Sequence, residues 1–199
     1  MDPAIRIPLA LPDPAAALAR WAGAVLAVVF IALCAPARAD TIAVRSAELR
    51  ADEDTYVLNA EFDVAFNPTL EEALVNGVPL YFVFEFELLR PRWYWLDEKT
   101  LSFSTQYRVS YNALTRQYRL ASGLLGQTFD ALDEVERFLS RVTSRPVAAR
   151  DQLAKGTRYE AAIRLRLDVN QLPKPFQVNA LASREWSLQS DWHRWSFTP

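Results

Sequence analysis

The stretch Leu80-Tyr81-Phe82-Val83-Phe84-Glu85-Phe86-Glu87-Leu88-Leu89 decides the fold. Phe82, Phe84, Phe86 and Leu88 recur at every second position, and Glu85 and Glu87 share the opposite face with Tyr81 and Val83. Successive side chains of a β-strand point to opposite faces, so this pattern predicts a strand with one buried and one wet face. Strands of that kind build antiparallel sheets.

The same period continues outward. In 56–66, Leu58, Ala60, Phe62, Val64 and Phe66 oppose Asn59, Glu61 and Asp63. In 101–111, Leu101, Phe103, Tyr107, Val109 and Tyr111 oppose Ser102, Ser104, Gln106 and Arg108. In 159–169, Ala161, Ile163, Leu165, Leu167 and Val169 oppose Arg164, Arg166 and Asp168. Weaker strand signals lie at 42–50, at 115–121 and in the Trp-rich tail from Arg184.

Two helices interrupt this β pattern. Thr69-Leu70-Glu71-Glu72 reads as a capping box, and Asn76-Gly77 as the stop of that helix. The second is predicted over 129–142, with a stripe of Leu132, Val135, Leu139 and Val142. Its acidic residues (Asp130, Asp133, Glu134, Glu136) come first and Arg137 and Arg141 last, which suits the helix dipole. Residues 144–156 read as a polar loop, and Leu172-Pro173-Lys174-Pro175 as a stiff one. Gly123-Leu124-Leu125-Gly126 lacks the ending of a phosphate loop and reads as a turn before the second helix. The fold class expected is mainly β, an antiparallel β-sandwich of about seven strands with two short helices.

Chemistry-bearing residues are few. His193 is the lone histidine, and Asp191, two residues away, offers it no evident orienting role. Glu85 and Glu87 form a same-face carboxylate pair at the spacing a glycosidase could use, about 6.5–7 Å at Cα. Arg108, Arg164 and Arg166 on polar strand faces offer these carboxylates ion-pair partners, which is the plainer reading. Catalytic residues, a metal site and cofactors are therefore not predicted. The densest cluster is Arg90-Pro91-Arg92-Trp93-Tyr94-Trp95. Guanidiniums beside large aromatics can hold sugars, phosphates or peptides. The alternation of Trp93 and Trp95 about Tyr94 equally fits a strand end with one core face. The hairpin around 112–119 adds Thr115 and Arg116 beside a turn, where binding groups often sit. The candidate binding residues are thus Arg90, Arg92, Trp93, Trp95, Thr115 and Arg116.

With these segments in view, the chain resembles a bacterial family of exported proteins, the domain of unknown function DUF4390. The likeness rests on Leu74-Val75-Asn76-Gly77-Val78-Pro79-Leu80, on Arg90-Pro91-Arg92-Trp93-Tyr94-Trp95-Leu96-Asp97 and on Tyr111-Asn112-Ala113-Leu114-Thr115-Arg116-Gln117-Tyr118-Arg119-Leu120. Leu172-Pro173-Lys174-Pro175-Phe176 and the tail of Trp186, Trp192 and Trp195 complete it. The resemblance implies a proteobacterial periplasmic protein without an established activity and a link to membrane sensor kinases. It brings no catalytic residue.

The amino-terminal segment predicts the compartment. Trp21 to Cys34 form an uncharged apolar run of about 14 residues, short of the roughly 20 that span a bilayer. Ala37-Arg38-Ala39 then places small residues where a signal peptidase cuts, between Ala39 and Asp40. The expectation is a signal peptide over 1–39 and one periplasmic domain over 40–199, with no stable membrane span after cleavage. The alternative is an uncleaved inner-membrane anchor. Cys34, the only cysteine, follows Leu33, where a lipoprotein signal needs a small residue. The domain is then free of disulfides and rests on its core alone. Of 22 basic and 24 acidic residues, removal of Arg6, Arg20, Arg38, Asp2 and Asp13 leaves a formal charge of −3. A nucleic-acid binder would show a basic excess.

These observations predict a non-enzymatic periplasmic interaction module with an envelope protein as partner, accessory to a membrane sensor kinase or to envelope assembly. The alternative is a lipid or glycan carrier whose aromatic residues line a pocket. Hydrolysis through Glu85 and Glu87 ranks last.

Overall fold

The computed structural model describes residues 42–92, 94 and 98–199, apart from the side chains of residues 181 and 182. The chain divides into two units, Met1–Arg38 and Ala39–Pro199, and every described residue belongs to the second. The predicted export segment and its cut between Ala39 and Asp40 lie outside the described residues.

The described chain is mainly β. Its strands are β1 (Ala43–Asp52), β2 (Thr55–Asp63), β3 (Leu80–Arg90), β4 (Glu98–Asn112), β5 (Gln117–Ser122), β6 (Leu125–Phe129), β7 (Arg141–Ala149), β8 (Tyr159–Leu167) and β9 (His193–Phe197). Short helices α1 (Pro68–Val75), α2 (Leu132–Leu139) and α3 (Lys174–Ala182) join them. One sheet has the order β1-β2-β7, the other β6-β5-β4-β3-β8-β9, and every strand pair is antiparallel. The two open sheets make a sandwich, with nine strands where the sequence predicts about seven and three α-helices where it predicts two.

The alternation read from residues 80–89 holds in space. Leu80, Phe82, Phe84, Phe86 and Leu88 are buried against the smaller sheet, whose Leu58, Ala60 and Phe62 are buried in turn. Rings meet directly: Phe66 stacks on Phe82 at 5.1 Å, Phe62 meets Phe84 edge-on at 6.0 Å, and Phe86 stacks on Phe103 at 5.2 Å. Burying each such side chain contributes about 1.5–3 kcal/mol, and the ring pairs add to that. Among the described residues no buried side-chain nitrogen or oxygen lacks a partner.

Helix α1 starts differently from the predicted capping box. Asn67 is the N-cap, and its Oδ1 accepts from the Leu70 N–H at 3.0 Å. Pro68 takes the first helical position, where its missing N–H costs nothing and its fixed φ suits the helix. Thr69 is displaced into the first turn, and its hydroxyl donates instead to Glu185 Oε2 at 3.1 Å. The predicted stop holds: Gly77 adopts φ +85°, a conformation that glycine enters without strain.

The second predicted helix shortens to α2, because Phe129 ends β6 and Val142 belongs to β7. Residues 141–149, largely read as loop, are an edge strand paired only with β2. Pro146 is tolerated there because an edge strand has one side that needs no ladder partner. Residues 172–175 are not all loop either, since Lys174 opens α3 with Pro175 in its first turn. Gly123 and Leu124 do form a turn, but it closes the β5–β6 hairpin and leads into β6 before α2.

Helix α2 sits beside the smaller sheet and closes the inner side of β5 and β6. Val135 and Leu139 are buried, and Phe138 meets Phe129 at 6.0 Å and Tyr107 at 6.3 Å. The inner face of the six-stranded sheet is thereby covered as far as Leu120 and Phe129, while Leu125 and Gln127 at its β6 edge stay exposed. On its other face Ser102, Ser104, Gln106, Arg108, Arg119, Gly126 and Thr128 remain exposed. Among the described residues no helix is long and apolar enough to cross a membrane.

Candidate functional site

The outer face of the six-stranded sheet collects most of the charged residues that the sequence singles out. Glu85 on β3 lies opposite Arg164 on β8 in the strand register. Arg164 Nε donates to Glu85 Oε2 at 2.7 Å, and Arg164 Nη2 lies 2.6 Å from the same oxygen. Arg166 Nε approaches Oε2 at 3.3 Å, and Arg166 Nη1 lies 3.5 Å from Asp168 Oδ1. The Arg164 guanidinium also rests 4.6 Å above the Trp192 ring. Burial pushes the Glu85 carboxyl up, but the hydrogen bonds and charges of Arg164 and Arg166 together outweigh it and hold the group below the usual carboxylate range.

Glu87 pairs with Lys99 across the β3–β4 ladder. Glu85, held below the usual carboxylate range, lacks the raised pKa that a general acid of a glycosidase needs, and Glu87 is engaged by Lys99. His193 packs its ring 5.8 Å from Trp195 at the start of β9. Among the described residues no three His, Cys, Asp or Glu side chains converge as a metal site.

The candidate binding residues fall into two groups. Arg90 pairs in register with Glu98, and Arg92 forms an ion pair with Glu98, all at the entrance of β4. Trp93 and Trp95 lie outside the described residues. Thr115 and Arg116 sit in the loop that follows Asn112, at the exit of β4. That loop is held by Asn112 Oδ1, which accepts from the Leu114 N–H at 3.0 Å and the Thr115 N–H at 3.4 Å. Arg116 adopts φ +55° there. The strand between the two groups is 15 residues long, so they stand about 45 Å apart, one at each end of β4. They do not form one compact site.

What joins them is the outer row of β4 itself: Ser102, Ser104, Gln106, Arg108 and Ser110. Beside it, on β5, lies Arg119, opposite Ser110 in the register. Among the described residues no carboxylate lies within ion-pair distance of Arg108 or Arg119, whereas Arg164 and Arg166 are both neutralised. Arg108 leans over the Tyr81 ring at 5.9 Å. A shallow cleft of about 590 Å³ opens here, lined by Tyr81, Ser104, Gln106, Arg108 and Ser122 among others. Alternation in the sequence already groups Arg108 with Ser102, Ser104 and Gln106. The neighbouring Arg119 needed the β4–β5 register to be placed.

The aromatic residues that a carrier would use to line a pocket are spent differently. Phe62, Phe66, Phe82, Phe84, Phe86 and Phe103 pack ring against ring between the sheets.

A family model for a domain of unknown function (DUF4390) matches residues 39–196. No curated protein and no solved structure matches the chain.

Proposed function

The chain belongs to the family defined by the domain of unknown function DUF4390, and on that premise we propose that it is a non-enzymatic interaction module of the cell envelope. The observation that carries this reading is the bare outer strip along β4 and β5. It joins the Arg90–Arg92 end to the Thr115–Arg116 end and holds Arg108 and Arg119 without carboxylate partners among the described residues. Such a strip of hydroxyls, one amide and two guanidiniums not paired with a described carboxylate suits an extended acidic segment of a partner protein, because guanidinium forks bind carboxylates in two-point contacts. The partner proposed is an envelope protein, with the extracytoplasmic part of a membrane sensor kinase as one candidate class.

Support for the periplasm comes from the sequence of residues 21–39 and from the domain boundary. The family match begins at residue 39, beside the predicted cut. The neutralised Glu85 and Glu87 favour binding over hydrolysis, and the ring-filled core favours it over carriage of a lipid or glycan.

The test is photo-crosslinking in intact cells from probes placed at Ser104 and Ser110, followed by mass spectrometry. A specific partner that disappears in the Arg108→Ala/Arg119→Ala double variant supports the proposal. Recovery of no specific partner, or of one indifferent to that double variant, overturns it.

A further inference from the structure

Among the described residues four strands have an open edge: β1 and β7 in the smaller sheet, β6 and β9 in the larger. Unpaired edges invite other chains, and proteins usually guard them with charges, prolines or bulges. Strand β1 carries Arg45, Glu48, Arg50 and Asp52 and a register irregularity between Val44 and Ser46. Strand β7 carries Arg141, Arg145 and Pro146. Strand β9 carries Arg194, which faces Glu160 at 3.7 Å. Strand β6, Leu-Gly-Gln-Thr-Phe, carries no charge and no proline. Its first four residues are exposed, and the adjoining Leu124 is fully exposed, with Leu125 at 79%.

We infer that β6 pairs with the β6 of a second copy of this chain across a two-fold axis, joining two six-stranded sheets edge to edge. The sequence of β6 is self-complementary in the antiparallel register centred on Gln127. That register sets Leu125 opposite the partner copy's Phe129, and Gly126 opposite its Thr128. Leu125, Gln127 and Phe129 all lie on the inner face, because their β5 partners are Ser122, Leu120 and Tyr118. On the inner face Leu125 and Phe129 therefore meet apolar groups on either side of a Gln127 pair, and small groups meet on the other face.

The acidic groups stay apart. Asp130, the first charge beyond β6, falls opposite the second copy's Leu124, at the far ends of the ladder. Asp130 is also engaged within its own chain, accepting from Gln117 Nε2 at 2.9 Å. The Arg119 guanidinium lies over Gly126, where a Cβ would come within 3.4 Å of it, so glycine keeps this edge slim. An acidic or apolar strand from another protein could use the same edge, but only a second copy is matched by the pairing of Leu125 with Phe129 about Gln127.

The inference rests on the β6 edge and not on the strip proposed above, although Arg119 borders both. The experiment uses the full chain, carrying Cys34→Ser so that introduced thiols are unique. Gln127→Cys should give a disulfide-linked dimer under mild oxidation, since residue 127 faces itself across the axis. Leu114→Cys, also exposed but in the β4–β5 loop, should remain monomeric. Without cysteines, sedimentation should show a concentration-dependent dimer, and Gln127→Lys should shift it at least tenfold toward monomer by setting two ammonium groups face to face. Far-ultraviolet circular dichroism of Gln127→Lys checks that the fold is kept. A wild-type chain that stays monomeric at millimolar concentration overturns the inference. So does a dimer that survives Gln127→Lys, or a Gln127→Cys cross-link no stronger than that of Leu114→Cys.

Discussion

Glu85 on β3 and Arg164 on β8 are separated by 79 residues in the chain, yet they face each other in register with Arg164 Nε 2.7 Å from Glu85 Oε2. Arg166 adds a second guanidinium to the same carboxylate. This converts the most enzyme-like pair in the sequence into a charge-paired patch of the sheet.

The pair should be visible in acid unfolding. Glu85 titrates below the usual carboxylate range, so its contribution is complete at neutral pH and is lost as pH falls through the folded-state pKa. Glu85→Gln should lower stability at pH 7 by about 1.5–3 kcal/mol, the range for hydrogen bonds to charged groups. The gap between the variant and the parent in urea unfolding should narrow as pH drops below the ordinary carboxylate range. A gap that stays constant from pH 7 to pH 3 would contradict this.

Glu136 on α2 behaves in the opposite sense. Burial pushes its carboxyl up, with Glu71 and Asp133 adding repulsion, although the Phe66 N–H donates to Oε1 at 2.6 Å. Its ionised form is therefore tolerated less well in the folded state, and this group costs stability as pH rises through its pKa. Glu136→Gln keeps an acceptor for the Phe66 N–H and should leave stability at pH 7 unchanged or higher. Glu136→Ala removes the acceptor and should cost about 1–3 kcal/mol. Chemical denaturation of the two variants side by side distinguishes them.

Phe84 lies at the centre of the ring cluster, beside Phe62 at 6.0 Å and Phe103 at 6.2 Å. Phe84→Ala should cost about 3–5 kcal/mol, as expected for a large cavity in a solid core. A carrier with a yielding pocket would lose far less, so a loss under about 1 kcal/mol would reopen the lipid or glycan reading.

At α1 the cap assignment separates Asn67 from Thr69. Asn67 is buried, caps the helix and also donates from Nδ2 to the Glu185 carbonyl at 2.7 Å. Asn67→Ala should lower the thermal midpoint, with a cost of about 1–2 kcal/mol. Thr69→Ala removes one exposed hydrogen bond and should change stability by less than about 0.5 kcal/mol. Equal losses in the two variants would overturn the assignment.

Much of the β framework was legible because period-two alternation is a property of consecutive residues. Phe82, Phe84, Phe86 and Leu88 had to share a face however the strands were ordered, and so did Leu58, Ala60 and Phe62. The turn at Asn112 and the stop at Gly77 were legible for a similar reason, since each rests on a local backbone conformation. Family membership is likewise carried by the sequence, through a match that spans the second unit.

Tertiary structure decided the rest, because strand register joins residues far apart in the chain. Residues 141–149 show no clean alternation and contain Pro146, and they become a strand only because β2 presents an unpaired side. The partner of Glu85, the opposite placement of Arg92 and Arg116, and the proximity of Arg108 to Arg119 all follow from register as well. So does the open β6 edge: the five residues of β6 are apolar or uncharged in any context, but only the sheet order pairs them with β5 on one side and leaves the other side without a strand among the described residues.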